Sequence, residues 1–386
     1  MPGPSPGGPP PRPPGAFSTA FWLLCAATAA AMFGVQMLTA SLPLYAARLG
    51  ASDAVLGMMA GAVALVSLAS RPWVGVWIDA GGAPAALLAG IGLYVVAALG
   101  YWAWAAVAGL LVFRAVTGLA VALFHTAGQT LTVGLAPPER LGQALSLYSL
   151  TLPVVQLVGP PVGVAVARWL GDPGLFLSVS AVSATGLALA WPLRRRAPAP
   201  RPHVRRLLHR AVMRLGVWML LLMLPFGTNQ ALLAVHASRR GLDNPGVVFT
   251  AMAVGLLAGL LAAGRLSTGR DPRGLVAWGL GAAACGMWAA AALHGGWLVV
   301  AGLASGLGFG IAQPMVYALV ADRVPADERG SAMATVGVLL EVGVALGAIG
   351  GGLAARAVGL GPMFVLAGLA PAAGIGLVVA TARRRA

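Results

Sequence analysis

Apolar stretches of about 20 residues, each long enough to cross a roughly 30 Å hydrocarbon core, recur from Phe17 almost to the C-terminus. About twelve are expected, over residues 17–45, 54–78, 84–106, 107–135, 142–168, 173–193, 213–238, 246–267, 274–294, 296–321, 329–356 and 360–381. Only 9% of the 386 residues are charged against 59% hydrophobic, and the mean hydropathy is +0.86, so the chain cannot close as a soluble globule. An all-α membrane protein is the expected fold class. The opening tract "MPGPSPGGPPPRPPG" carries no evident cleavable signal and reads as a disordered tail over residues 1–16, so the first helix is expected to stay.

The net charge of +15 takes its meaning from where the 25 basic residues lie, and all of them are Arg. The tail, the loops after even-numbered spans and the C-terminus hold 19 of them, the opposite loops hold 5, and Arg114 lies inside a span. Such asymmetry predicts that both termini are cytoplasmic. Nucleic acid is not an expected partner. Cys25 and Cys285 fall in apolar spans, so neither a disulfide framework nor a thiolate metal site is indicated. Neither a His-Glu-x-x-His pair nor a Gly-x-x-x-x-Gly-Lys loop occurs, and no enzyme activity, cofactor or metal is expected.

The polar stretch "RRRAPAPRPHVRRLLHR", residues 194–210, divides the spans six and six. The predicted organisation is a bundle over 17–193, a basic cytoplasmic linker over 194–212 and a second bundle with a short basic tail over 213–386. At an offset of 188 the halves align without a gap, so that Gly118 meets Gly306, Pro137 meets Pro325, Gly159 meets Gly347, Gly163 meets Gly351 and Arg168 meets Arg356. Duplicated halves with a substrate site near the midplane are the usual build of secondary transporters.

Three motifs then carry a family resemblance. "RPWVGVWIDAGG" resembles the loop motif Gly-x-x-x-Asp-basic-x-Gly-basic-basic of the major facilitator superfamily through Gly75, Asp79 and Gly82, although Ala80, Ala83 and Pro84 replace its basic residues. "RAVTG" is similar to that family's Arg-x-x-Gln-Gly motif through Arg114 and Gly118, with Thr117 in place of Gln. "GPPVG" resembles the Gly-Pro-x-x-Gly motif of its antiporting, exporting branch through Gly159, Pro160 and Gly163. The resemblance implies a cytoplasmic latch at the loop motif, and Arg71, two turns before Asp79 on the same face, is a candidate replacement for the missing cations. Independently of any family, prolines inside a span remove backbone donors and bend the helix, while glycines allow close approach. A plain structural kink and a bending point between the halves are both compatible with "GPPVG".

Polar residues inside the spans fall mainly on the first, fourth, seventh and tenth, which line the cavity in the resembling fold. Arg114, His125 and Gln129 share one helical face with Gly118. Gln36 on the first span, Asn229 and Gln230 on the seventh, and Gln313 and Tyr317 on the tenth complete the candidate substrate cavity. Any one of the uncharged groups also suits interhelical hydrogen bonding, and His236, near a span end, is expected to be solvated. An Arg in hydrocarbon is costly and faces either water or an acid, and it suits an anionic substrate group. The aromatic run at 101–107 reads as an interfacial anchor.

Glu341, in "GVLLEVGVALG", is the one acid deep in a span. An ionised carboxylate there costs about 2.5–3.5 kcal/mol even on a lenient scale, so it is expected to be neutral when dry. Glu341 is the candidate proton-coupling residue. The alternative is a structural acid, hydrogen-bonded across helices or held by an Arg. The resulting expectation is a monomeric, proton-coupled exporter of a small organic molecule such as a drug, sugar or metallophore-like metabolite, embedded in the lipid of a prokaryotic cytoplasmic membrane. Uptake by the same fold, and a non-transporting sensor or scaffold, are the alternatives.

Overall fold

The computed structural model describes residues 17–195, 209–267, 271–292, 294–325 and 328–383. The predicted tail and most of the predicted linker lie outside the described residues. Among the described residues there is no strand. The helices are α1 Thr19–Arg48, α2 Asp53–Trp77, α3 Ala83–Ala103, α4 Val107–Leu135, α5 Leu141–Ala190, α6 Met213–Thr228, α7 Ala234–Arg239, α8 Gly246–Leu266, α9 Pro272–Ala292, α10 Leu298–Ala321, α11 Arg329–Val358 and α12 Leu360–Arg383.

Local chemistry accounts for several of these ends. Ser18 caps α1 by accepting from the Phe21 N–H at 3.2 Å. Ten continuous helical stretches among the described residues are long and apolar enough to cross a membrane, two of them 51 and 55 residues long. At 1.5 Å per residue such lengths are more than twice a ~30 Å core. Each is broken by a glycine in a conformation that other residues avoid: Gly81 (φ 91°) between α2 and α3, and Gly171 (φ 72°) within α5. Short π-helical turns at Ile78–Gly82 and at Asn229–Leu233, the latter joining α6 to α7, add further irregularities.

The helices up to α5 pack chiefly on one another, as do those from α6 onward. Two seams join the groups, α2 against α11 and α5 against α8. Small residues make the first seam tight. A side chain at Gly57 would meet the Ala348 carbonyl and the Gly352 Cα, and one at Gly61 would strike Ile349. The offset that aligns the halves also relates their contacts. Gly118 sits on Val63 and Val66 of α2, and Gly306 on Met252 and Leu256 of α8; Gly159 faces Gln36 of α1, and Gly347 faces Leu224 of α6.

The two ends of the molecule differ. At the end holding the α1–α2 and α7–α8 turns, here called the far end, Asp53 pairs with Arg239 through hydrogen bonds of 3.1 and 3.2 Å, and Arg168 donates to the Asp243 carbonyl. Both contacts tie the groups together. Toward the opposite end, where the linker joins α6, Gly75 of α2 and Gly337 of α11 have open space around them and Trp73 is 75% exposed. The Asp53–Arg239 and Arg168–Asp243 contacts thus clasp the groups at the far end, while the sites of Gly75 and Gly337 stay unfilled toward the linker end.

Candidate functional site

A cavity of about 140 Å³ lies between α1, α2, α4 and the π-turn of Asn229–Leu233, and Gln36, Arg114 and Gln230 all line it. These three come from three different spans. Arg114 donates its Nε to the Met59 carbonyl at 3.1 Å, and Gln36 Oε1 accepts from Thr39 at 3.1 Å. The Tyr101 and Thr117 hydroxyls are 2.9 Å apart beside the same wall. Pro43 also lines the cavity and removes the N–H that would otherwise bond the Thr39 carbonyl. Asn229 is 1% exposed with its Nδ2 unpartnered, and the buried Gln230 Oε1 is unpartnered too. Thr39, Pro43 and the Met59 carbonyl were not legible as site features, because their part depends on which helix faces meet.

The other polar candidates are not in the lining of this cavity. His125 packs edge-on against Phe124 and lies within electrostatic reach of Arg71, and Gln129 is exposed. Tyr317 adjoins the Gln313 side chain and lies within electrostatic reach of both Arg71 and Glu341. His125 and Tyr317 lie toward a second feature, nearer the linker end. There Arg71 Nη2 of α2 donates to Glu341 Oε1 of α11 at 2.5 Å, with the side chains 40% and 14% exposed. In this conformation Glu341 is thus held by an Arg, an arrangement compatible with a structural acid as well as with a proton-coupling one, and the neighbouring cation lowers the cost of an ionised acid at this depth. Arg71 does reach across the seam, but its partner is Glu341. None of the four ion pairs among the described residues includes Asp79, which sits in the π-turn after α2. The expectation of a solvated His236 is corrected, since it is only 2% exposed, 2.9 Å from the Ala290 carbonyl and packed on Phe364.

Glycines and prolines of the motifs fall at helix contacts. Gly159 and Gly163 press on Gln36 and Met37 of α1, Gly118 on α2, and Gly82 on Trp77, whereas Gly75 faces open space. Pro160 and Pro161 face Gly246 at the start of α8. Because Pro161 has no N–H, the Leu157 carbonyl loses its helical donor, and Thr250 of α8 supplies one across the second seam at 2.7 Å. Asn244 adds a bond to the Pro161 carbonyl at 3.1 Å.

The chain matches the Major Facilitator Superfamily over residues 24–292 and 215–386. It is 27% identical over 350 residues to an uncharacterised MFS-type transporter of Pseudomonas aeruginosa, covering 87% of this chain and 86% of that protein. It is also 24% identical over 236 residues to the staphylopine export protein of Staphylococcus aureus, covering 58% and 59% of the two chains. Among solved structures, a POT family transporter bound to a thioalcohol-conjugated peptide superimposes with a TM-score of 0.82 at 13% identity, over 94% of this chain and 96% of that one. An inward-facing, occupied bacterial homologue of Spinster gives 0.75 at 16% identity, over the same shares. Motif order, helical architecture and a match running through both halves agree, and the chain is an integral membrane protein belonging to the Major Facilitator Superfamily of transporters.

Proposed function

We propose that the chain is a proton-coupled antiporter that exports a small organic molecule across the cytoplasmic membrane by alternating access. Two bundles, 17–193 and 213–386, contribute twelve crossings, the glycine breaks at Gly81 and Gly171 each marking a reversal between two of them. The arginine asymmetry puts both termini and the linker end in the cytoplasm. In that orientation the far-end clasp lies on the outside, and the unfilled sites of Gly75 and Gly337 lie toward the cytoplasm.

The observation that carries the reading is the Arg71–Glu341 pair. It joins the bundles and lies between the Arg114 cavity and the cytoplasmic end. A proton on Glu341 removes one charge of the pair and leaves a lone Arg71 cation at the seam, a species favoured only where water or an anion reaches it. Loss of that proton restores the pair. Protonation and seam geometry are therefore linked, as coupling requires. The exporting name of the staphylococcal relative supports the direction.

Inside-out vesicles with a pH-sensitive dye test this. Substrate addition under an imposed gradient is expected to move protons outward from the acidified lumen as substrate enters it. Glu341→Gln is expected to keep counterflow and lose pH-driven accumulation. If the Gln variant still concentrates substrate with an unchanged pH profile, the acid is structural and protons travel elsewhere. Flux in the opposite sense would replace export by uptake.

A further inference from the structure

We infer that the Arg114 cavity takes a small zwitterion, with a carboxylate and a protonated amine close together on a short aliphatic body. This deepens the transport reading and rests on it for the claim that the ligand is carried.

Charge sets the first requirement. Among the described residues Arg114 is the one ionisable side chain lining the cavity, and none of the four ion pairs found there includes it. Its Nε is held by the Met59 carbonyl and it adjoins the Tyr101 hydroxyl, neither of which carries a compensating charge. A guanidinium inside the membrane without an acid is costly, so the cavity is completed by an anion, and the planar fork fits a carboxylate. Gln36 adds to this. With Oε1 engaged by Thr39, its amide nitrogen remains as a donor.

An unmatched acceptor sets the second requirement. Gln230 lines the cavity while its Oε1 is buried behind the lining with no partner, and a turn about the terminal side-chain torsion brings that oxygen to a donor inside. A bare carboxylate would satisfy Arg114 and leave this oxygen orphaned, at the usual penalty of a buried unpaired group. A ligand that also donates N–H bonds satisfies both sides. The π-turn that brings Gln230 and Ala231 to the wall is a local irregularity of the kind found at binding sites.

Size sets the third. Drug-sized sites occupy about 300–1,000 Å³, whereas this cavity holds about 140 Å³. Leu38, Leu42, Leu56 and Val63 make the rest of its wall apolar, which matches a short branched side chain.

The test uses the full-length purified protein in detergent, read by thermal shift and by equilibrium binding. L-valine is the probe, with three analogues that each lose one feature: 3-methylbutanoate lacks the amine, isobutylamine lacks the carboxylate, and N,N,N-trimethylvaline keeps both charges but has no N–H. Valine is expected to stabilise the protein and the analogues to bind at least about tenfold more weakly, the loss of one charge-assisted hydrogen bond. Gln230→Leu is expected to weaken valine and leave 3-methylbutanoate unchanged. Arg114→Met is expected to abolish valine binding, with partial rescue by Arg114→Lys, which also reports that the site still folds. The inference is overturned if valine gives no shift at tens of millimolar, if 3-methylbutanoate or N,N,N-trimethylvaline equals valine, or if Gln230→Leu binds valine normally. Counterflow of labelled valine separates the two claims. Binding without counterflow removes the transport reading and keeps the zwitterion site, whereas proton-coupled efflux of another solute without valine binding does the reverse.

Discussion

Glu341 and Arg71 show how one side chain changes the meaning of another. Alone, a carboxylate within α11 is an acid waiting to be protonated; beside a guanidinium at 2.5 Å it is half of an ion pair. Nothing in the sequence near Glu341 announces the partner, because 270 residues separate the two. What the sequence does offer is scarcity, since a charge well inside a span needs a counterpart. The pair also breaks the internal symmetry. At the offset of 188, Arg71 corresponds to Gly259 and Glu341 to Pro153, so the second seam lacks this charge. Removing one partner of a buried pair strands the other, while removing both does not. Arg71→Met is therefore expected to lower stability in detergent by about 1–2 kcal/mol, scaled down from buried-pair values because Arg71 is 40% exposed. Arg71→Met combined with Glu341→Gln is expected to recover most of that loss while remaining uncoupled from protons. Thermal unfolding of the single and double variants measures the difference, and a double variant no more stable than Arg71→Met alone would show that the two charges do not depend on each other.

At the scale of the helix, the elements were largely legible because Gly, Pro and Ser punctuate long apolar runs: the expected 107–135 and the observed α4 coincide, and α8 differs from its expectation by one residue. The interruptions were less legible. The seventh span reads as one apolar run, yet the π-turn splits it into α6 and α7. That one-residue shift in register carries no compositional mark. The "GPPVG" prolines were recognisable as a place where a backbone donor is missing, but which partner meets the freed Leu157 carbonyl depends on the packing of α8, and Thr250 had no signal of its own. Glycines make the same point in reverse, since identical residues differ wholly in what surrounds them. Gly57 is jammed against α11, whereas Gly92 in α3 has nothing within 4 Å. Gly57→Ala is expected to pry the far end apart and cut transport severalfold at normal membrane levels. Gly92→Ala is expected to leave transport intact and add about 0.5–1 kcal/mol of stability through lower backbone entropy. Equal transport by the two variants would mean that the α2–α11 contact at Gly57 is dispensable.

For the molecule as a whole, duplication was visible as an offset of 188 and reappears in the contacts of Gly118 with Gly306 and of Gly159 with Gly347. The cavity was half legible: Gln36, Arg114 and Gln230 converge, but His125 and Tyr317 lie toward the Arg71–Glu341 pair and Gln129 is exposed, because helical periodicity gives a face and not a depth. Conformation was not legible at all, since one sequence must support every state of a transport cycle. The α2–α11 seam shows what the other state requires. These helices run antiparallel, with Gly57 against Gly352, Gly61 against Ile349 and Arg71 against Glu341. Continued in the same register toward the linker end, Gly75 would oppose Gly337, yet both stand in open space here. Rocking about the Arg71–Glu341 level would bring them together while separating Asp53 from Arg239. Cysteines at Gly75 and Gly337, in a chain with Cys25 and Cys285 replaced by Ser, are therefore expected to cross-link slowly with a short bifunctional reagent. Adding Asp53→Asn, which weakens the far-end clasp, is expected to speed cross-linking severalfold, and once linked the protein is expected to be locked and inactive until the bond is reversed. If the cysteines link rapidly in the unmodified background and Asp53→Asn changes nothing, the far-end ion pair does not hold the balance between the two states, and the pivot lies elsewhere in the seam.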